Sequence, residues 1–228
     1  MKQLAENLWI FDGEAVPFLK LPFTTRMTVV RLTTGELWVH SPIRFSDSIC
    51  QQIDQLGPVK YLVAPNHLHH LFLAEWLAHY SDAISYATPE LIKKRRDLAF
   101  DYALNETRDW PWSNELAHVL FTGSPLMEES VFFHHASRVL IVTDLIENFS
   151  GENFSYWQRL FARMAGVLAP HGKTPLDWRL SFMFGKAKAR RHLSDIKGWQ
   201  PEMIVMSHGE IIESGAAEFL EKSFDWIK

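Results

Sequence analysis

The amino-acid sequence predicts an α/β protein in which helices cover the faces of β-sheets. Two stretches rich in β-branched and aromatic residues, 7–41 and 115–144, are interleaved with segments whose apolar residues recur at three- and four-residue spacing. Hydrophobic residues make up 47% of the 228 positions and charged residues 22%, which is typical of a globular protein with a sizeable core. Because no repeat or Gly/Ser-rich linker interrupts the chain, we expect a single domain over residues 1–228.

The first half of the chain is predicted to alternate between short strands and helices. Ser46 or Asp47 is a candidate N-cap for the first helix, and Gly57 is expected to end it. Pro89 is expected in the first turn of the third helix, where its missing N–H costs nothing. The predicted strands are 7–13, 26–32, 36–41, 59–64 and 83–88, and the predicted helices are 47–56, 71–80 and 89–104.

The second half begins with an irregular aromatic stretch and then becomes mostly helical. Apolar runs predict strands, and apolar residues at helical spacing predict the helices. After the irregular residues 105–115, the predicted strands are 115–121, 130–135, 138–144 and 202–207, and the predicted helices are 154–168, 174–182, 186–199 and 214–223.

The charge balance and the cysteine content limit the classes of function. A net charge of −4 argues against a large nucleic-acid-binding face, and no polybasic membrane anchor is evident. A single cysteine, Cys50, excludes a disulfide within these residues and any multi-cysteine metal cage. The N-terminal residues contain no signal-peptide-like segment, and no window approaches the ~20 apolar residues of a membrane span. We therefore expect a cytoplasmic protein with no membrane partner.

Three predicted strands end in residues that commonly ligate metals. The strand in "KYLVAPNHLHH" is followed by several histidines, "RVLIVTD" ends in Asp144, and "EMIVMSHG" ends in His208. Polar residues that follow strands in α/β folds commonly line one shared crevice. Histidine and carboxylate are the ligand set of hydrolytic zinc sites, so the three strand ends together predict a metal centre.

The order of these motifs resembles the metallo-β-lactamase fold, a superfamily of metallo-hydrolases. An N-terminal β region is followed by a His-rich loop that opens a helix, a strand ending in Asp and a late strand ending in His-Gly. More narrowly, "PNHLHHLFL", "FFHHASRVLIVTDLI" and "SHGEII" together resemble a poorly characterised branch that is known as a domain of unknown function. The resemblance covers nearly the whole chain and implies a four-layer αββα sandwich.

The superfamily motif H-x-H-x-D-H is degenerate in this chain. One register starts at Pro65 and places His67 at the second His, His69 at the Asp and His70 at the last His. The other register starts at His67, matches His69, and places Leu71 and Phe72 where Asp and His are required. We prefer the first register because it keeps more ligand-competent residues and leaves the apolar helix intact.

The motif losses fall mainly on one of the two metal positions of the family. No histidine occurs in "TGSPLMEESVFF", where the family has a Gly-His pair. The resemblance implies that the other position is formed by His69, His70, Asp144 and His208. Three or four nitrogen and oxygen ligands suffice for zinc, so we expect one divalent metal ion.

The resemblance implies a hydrolase that acts on a small ester-, lactone- or thioester-like substrate through a metal-activated water. Because His69 stands where the family has a carboxylate, His67 is the best remaining general base or partner of a ligand. Asn66 is a candidate for donating to an oxyanion or orienting a ligand.

Other interpretations of the same residues remain open. A degenerate, non-catalytic family member would use the same cleft to bind a small ligand or a protein partner. His69 and His70 are also explained by hydrogen bonds to backbone groups, His208 by a turn, and Asp144 by capping. Nucleic-acid processing through the basic residues 186–191 is a third hypothesis, which the acidic net charge disfavours. His134 and His135 face opposite sides of a predicted strand, and a structural role is expected for both.

Overall fold

A computed structural model describes residues 1–18, 21–105 and 109–227 as a mixed α/β structure with two β-sheets and seven α-helices. The chain divides into two compact units. The first unit comprises Met1–Glu14 and Thr25–Glu115, and the second comprises Ala15–Thr24 and Leu116–Lys228. The α/β class predicted from the sequence is confirmed, and the expectation of a single domain stays a prediction.

The first sheet has seven strands that follow one another across the sheet in chain order. Its early neighbours β1–β2 and β3–β4 are antiparallel, whereas β4, β5, β6 and β7 run parallel. These strands are β1 (Lys2–Ala5), β2 (Leu8–Phe18), β3 (Leu21–Arg31), β4 (Leu37–His40), β5 (Val59–Ala64), β6 (Ile84–Ala87) and β7 (Tyr102–Ala103). The range Ala15–Thr24, which contains the end of β2 and the start of β3, belongs to the second unit.

Three helices accompany the parallel strands: α1 (Asp47–Asp54), α2 (Leu73–His79) and α3 (Pro89–Lys94). The predicted cap of α1 is confirmed, because the Ser46 hydroxyl accepts a hydrogen bond from the N–H of Ile49. Trp76 of α2 is fully buried and donates its indole N–H to the carbonyl of Ile43. Successive side chains of a strand point to opposite faces of the sheet, so other aromatic side chains of the parallel strands lie on the face away from these helices. There Tyr61 and Tyr86 pack edge-on against Trp112.

The predicted helix 89–104 is wrong beyond Lys94. Arg95 leaves the helical region with ψ 64, and a short strand, β7, replaces the last turn of the predicted helix. The Asp101 carboxylate accepts hydrogen bonds from the backbone N–H and hydroxyl of Ser85 in β6. These tertiary bonds, together with pairing of β7 to β6, outweigh the helical spacing of the apolar residues.

The second unit contains a four-stranded sheet in the order β11-β10-β9-β8. Neighbours β8–β9 and β9–β10 are antiparallel, and β10–β11 is parallel. The strands are β8 (Leu116–Phe121), β9 (Glu129–His134), β10 (Val139–Ile141) and β11 (Met203–Val205), and the helices are α4 (Tyr156–Ala165), α5 (Leu176–Ser181), α6 (Lys186–Gly198) and α7 (Ala216–Ser223). Each strand and helix predicted for this part of the chain is present, with ends shifted by a few residues.

The predicted strand 138–144 is shorter in the structure, and this difference shapes the candidate site. Pairing of β10 with its neighbours stops at Ile141, and Thr143 and Asp144 continue as buried irregular backbone.

A small apolar cluster of the second unit contains Phe23, Phe149, Ala162 and Val167. Of the irregular stretch 105–115, residues 106–108 lie outside the described residues. Among the described helices, none has both the length and the apolar character that crossing a membrane requires.

Candidate functional site

Asn66 organises the loop that carries the clustered histidines of the first unit. Its side chain is fully buried, and its Oδ1 accepts hydrogen bonds from the N–H groups of Leu68 at 2.8 Å and His69 at 3.0 Å. This arrangement is an Asx turn, in which a side-chain carbonyl replaces a backbone acceptor. The turn fixes the backbone of His69 directly after β5.

His69 is held by a serine from the neighbouring strand end. The Ser41 hydroxyl lies 2.6 Å from Nδ1 of His69, and Ser41 itself is buried with a positive φ of 54°. The Ser41 hydroxyl thus fixes the orientation of the His69 ring through Nδ1. Next to this pair, His40 stacks on Trp38, and burial followed by the nearby His69 lowers the pKa of His40 to about 3.

His67 faces a carboxylate. Its Nδ1 lies 3.0 Å from Oε2 of Glu90, and its backbone carbonyl accepts a hydrogen bond from the Lys94 ammonium. A carboxylate beside Nδ1 favours the tautomer that carries its hydrogen there and leaves Nε2 as a base. This geometry is compatible with the general-base role expected of His67.

His70 faces a guanidinium instead. Nη1 of Arg95 lies 2.8 Å from Nδ1 of His70, and the same guanidinium forms an ion pair with Asp97. Arginine is always a donor, so Nδ1 of His70 is the acceptor and carries no hydrogen. Burial, followed by Lys94 and Arg95, lowers the pKa of His70 to about 4. His70 is therefore a neutral ring whose hydrogen sits on Nε2.

The other two predicted ligands lie together in the second unit. Nε2 of His208 is 2.9 Å from Oδ1 of Asp144, and each side chain is only 6% exposed. Nδ1 of His208 lies 2.6 Å from the carbonyl oxygen of Thr24, which can only accept a hydrogen bond. Nδ1 therefore carries a hydrogen, and Nε2 and Oδ1 form a His/Asp pair in which both atoms are ligand types for a divalent metal.

A buried glutamate fixes the backbone on which Asp144 stands. Glu129, at the start of β9, accepts hydrogen bonds from the N–H groups of Thr143, Asp144 and Leu145 at 2.8–3.0 Å. Burial and then the charge of Asp144 raise the pKa of Glu129, while the N–H donors oppose that rise. Three donors converging on one carboxylate hold the loop after β10 in a single conformation.

A second buried carboxyl group, Glu147, lies in the same part of the second unit. Burial, followed by the charges of Asp144, Asp177 and Glu129, raises the pKa of Glu147 well above its usual value. The region around Asp144 is thus a concentration of carboxyl groups in a buried setting. Such an arrangement favours a bound cation, which would relieve the mutual repulsion of the carboxylates.

Sequence reasoning missed several residues that shape the site. Ser41 is the last residue of the predicted strand 36–41, so the same strand-end pattern that selected Asp144 would have selected it. Glu129 lies between Glu128 and Ser130, directly before an apolar run, and this position carries no sequence signal for a buried role. The Thr24 contact uses a backbone carbonyl, for which the sequence carries no signal. Of the other histidines, His134 is buried with Nδ1 2.7 Å from the Ser137 hydroxyl, whereas His135 is exposed.

Comparison with solved structures defines the fold class. The DIM-1 metallo-β-lactamase exposed to ceftazidime superposes with a TM-score of 0.66 at 16% identity, covering 99% of this chain and 94% of that one. The metallo-β-lactamase of Pontibacter korlensis gives 0.67 at 12% identity, with 99% and 97% covered. That of Hirschia baltica gives 0.64 at 13% identity, with 99% and 96% covered. The protein therefore has the metallo-β-lactamase fold, which confirms the αββα class predicted from the sequence.

Within this fold class the chain falls in one defined family. The model of the family described as "Domain of unknown function (DUF4336)" matches residues 5–159, more than half of the chain. The chain belongs to this family, and the predicted placement in a poorly characterised branch is confirmed. No curated protein matches the sequence.

Proposed function

We propose that the protein is a metal-dependent hydrolase that uses one divalent metal ion, zinc by its ligand chemistry. The substrate class we propose is a small ester, lactone or thioester. The observation that carries the proposal is the buried pair of Asp144 and His208, with the opposite ring nitrogen of His208 fixed by the Thr24 carbonyl. A histidine oriented through Nδ1 by a carbonyl is the usual arrangement of a metal-ligating imidazole.

The chemistry of this pair fits a cation. Nδ1 of His208 carries the hydrogen that bonds to the Thr24 carbonyl, so Nε2 faces Oδ1 of Asp144 across 2.9 Å. Either a proton on Nε2 or a cation ligated by both atoms accounts for this contact. The buried carboxyl groups of Glu129 and Glu147 strengthen the preference for positive charge in this unit.

His69 is the third ligand in the proposal, and His70 is the least suitable of the four that the sequence predicts. The Ser41 hydroxyl on Nδ1 allows the tautomer of His69 in which Nε2 carries a lone pair. By contrast, the Arg95 guanidinium on Nδ1 of His70 keeps a hydrogen on Nε2, so the neutral ring has no lone pair to offer. The positive charge of Arg95 also opposes a cation at this ring.

A bound divalent ion supplies Lewis acidity and lowers the pKa of a water to about 7, which provides the hydrolytic nucleophile at neutral pH. The chain's own groups have separate roles. We assign His67, oriented by Glu90, to accept or deliver a proton at Nε2. Asn66, whose Oδ1 holds the N–H of His69, is assigned to orient that ligand.

The proposal is tested by the metal content of untagged protein, measured by mass spectrometry. We expect about one divalent ion per chain in the parent protein. Asp144→Asn and His208→Ala should both lose the ion while retaining the far-ultraviolet circular dichroism of the parent. His171→Ala, which removes an exposed histidine outside the pair, is the matched control and should keep the ion. No metal in the parent protein after reconstitution would overturn the proposal.

Hydrolysis is tested on the metal-loaded protein with small chromogenic esters, lactones and thioesters. The hydrolase is supported if the parent protein gains activity in proportion to the metal loaded into it and if the Asp144→Asn variant has no activity.

A second function is favoured by the structural contacts of two motif histidines, because Glu90 contacts His67 and Arg95 contacts His70. In that case the protein is a non-catalytic member that binds a small ligand or a protein partner, and stable metal binding without turnover of any substrate class would favour it. The cytoplasmic location stays a prediction.

A further inference from the structure

The second unit exposes an unusual number of large apolar side chains on α4, α5 and the 3₁₀ turn Phe182–Phe184. We refer to the exposed side chains of Trp157, Phe161, Met164, Leu180, Met183 and Phe184 as the α4–α5 face. Their exposed fractions range from 61% to 96%, the highest being that of Phe184. Large exposed patches of apolar side chains on a globular protein commonly mark a surface that binds a protein, a ligand or a membrane.

The amphipathic pattern of α4 accounts for half of the face. Trp157, Phe161 and Met164 follow a spacing of four and three residues, which places them on one side of the helix. Ala162 is buried in the apolar cluster with Phe149, so the opposite side of α4 is the one that packs on the unit. The helix therefore turns its larger apolar residues to solvent and its small residue to the core, the reverse of the usual preference.

The remaining half comes from α5 and the turn that follows it. Trp178 and Phe182 are buried, whereas Leu180, Met183 and Phe184 project outwards. A hydrogen bond from the Arg179 guanidinium to the carbonyl of Ala165 ties α5 to the C-terminal end of α4. The two helices thus contribute neighbouring parts of one surface.

Helix α4 also gives this face positive charge. Its ten residues include Arg159 and Arg163 and no acidic residue. Both arginines are exposed. The combination of projecting aromatic and aliphatic side chains with surrounding cations is typical of a protein face that lies in the interface of an anionic membrane.

We propose that the α4–α5 face binds peripherally to the surface of a lipid bilayer that contains anionic headgroups. The apolar side chains would enter the acyl boundary while the arginines contact phosphates. A second copy of the chain fits less well, because two basic faces repel each other. A nucleic acid would bind the cations through its phosphates and stack its bases on the aromatic rings, but it would form no favourable contact with the protruding methionine and leucine side chains. The sequence expectation of no membrane partner rests on the lack of a spanning segment, a signal-peptide-like segment and a polybasic anchor, and a peripheral face assembled by the fold requires none of these.

The test is co-sedimentation of the full chain with vesicles. Vesicles of phosphatidylcholine with about one third phosphatidylglycerol should carry the protein down, whereas pure phosphatidylcholine vesicles should not. Binding should be largely released at about 0.5 M NaCl, where screening shortens the range of the charges. Failure to sediment with the anionic vesicles would overturn the proposal.

Two variants with matched controls assign the binding to this face. Met183→Ser combined with Phe184→Ser removes apolar contact, and Arg163→Glu reverses one charge; each should lower the partition coefficient about tenfold or more. Leu71→Ser removes a side chain that is 61% exposed in the first unit, and Lys93→Glu reverses an exposed charge in α3; both should bind as the parent does. Equal losses in variants and controls would contradict the assignment.

Two further outcomes would replace the lipid with another partner. If the chain elutes as a dimer in size-exclusion chromatography and Met183→Ser with Phe184→Ser makes it monomeric, a second copy covers the face. If the protein does not bind anionic vesicles but binds a single-stranded oligonucleotide, and Arg163→Glu abolishes this binding, a nucleic acid is the partner. Either result would overturn the lipid proposal without bearing on the metal content of the protein.

Discussion

The guanidinium of Arg95 donates a hydrogen bond to Nδ1 of His70 over 2.8 Å. This single contact distinguishes His70 from its neighbour His69, whose Nδ1 meets the Ser41 hydroxyl. A hydroxyl can accept or donate, so the Ser41 contact allows either tautomer of His69, whereas a guanidinium only donates and places the hydrogen of His70 on Nε2. Two histidines that are adjacent in the sequence therefore differ in whether their Nδ1 contact allows a lone pair on Nε2.

The first prediction separates these two histidines. His70→Ala should retain the metal content of the parent protein, whereas His69→Ala should lose most of it. The contact at Nδ1 of His70 excludes a lone pair on Nε2, whereas the contact at Nδ1 of His69 permits one. Metal content by mass spectrometry and the affinity for zinc from competition with a chelator are the measurements. Equal loss of metal in both variants, with native circular dichroism, would restore His70 as a ligand.

The second prediction concerns Ser41 as a positioning residue for His69. Ser41→Gly removes the hydroxyl and also accommodates the positive φ of 54°, so backbone strain does not confuse the result. We expect the affinity for zinc to fall by about 10- to 100-fold, as is usual when a partner of a ligating histidine is removed. Chelator competition measures the affinity, and the thermal midpoint should change little. An unchanged zinc affinity would mean that Ser41 does not orient the ligand.

The third prediction concerns the glutamate beneath Asp144. Glu129→Gln replaces a carboxylate that accepts three backbone N–H groups by an amide whose –NH₂ faces one or more of those donors. We expect the free energy of unfolding to fall by about 2–3 kcal/mol, because a buried donor loses its charged acceptor. Denaturant unfolding measures this loss. Glu152→Gln changes an exposed carboxylate in the same unit and should stay within about 0.5 kcal/mol of the parent.

The fourth prediction is a dependence of stability on pH that His118 contributes. Burial lowers the pKa of His118 from 6.5 to about 4, and its ring packs on Phe132. As the pH falls, His118 of the unfolded chain binds a proton before His118 of the folded protein does. His118 therefore leaves the free energy of unfolding unchanged above about pH 6.5 and lowers it progressively as the pH falls towards 4. Between these limits the parent should lose about 3 kcal/mol more than His118→Gln. Denaturant unfolding at pH 7, 5.5 and 4 measures the difference, and parallel curves would contradict the prediction.

Local sequence patterns determined most of the secondary structure. The β-branched run 59–64 coincides with β5, and Ser46 caps α1 as its position before an apolar helical pattern predicts. These features depend on side-chain periodicity and on caps that lie within a few residues, so the sequence is sufficient for them. The helix predicted over 89–104 failed because Asp101 bonds to Ser85 in another strand, an interaction that periodicity does not encode.

The candidate site shows the same division. Strand ends with His and Asp selected Asp144 and His208, and the structure brings this pair to 2.9 Å. The sequence could also place His69 and His70 in one loop, because the loop follows a clear strand and precedes a clear helix. It could not decide their protonation, since that depends on whether Ser41 or Arg95 lies against Nδ1.

The sequence by itself determined the order of strands and helices, the resemblance to the metallo-β-lactamase fold and the chemical types of the candidate ligands. Only the tertiary structure decided which nitrogen of each histidine is available, which carboxylate holds the Asp144 loop, and that α4 turns its aromatic side to solvent. The reason is physical: residue types and their spacing are local properties, whereas hydrogen-bond partners and burial are set by residues distant in the chain.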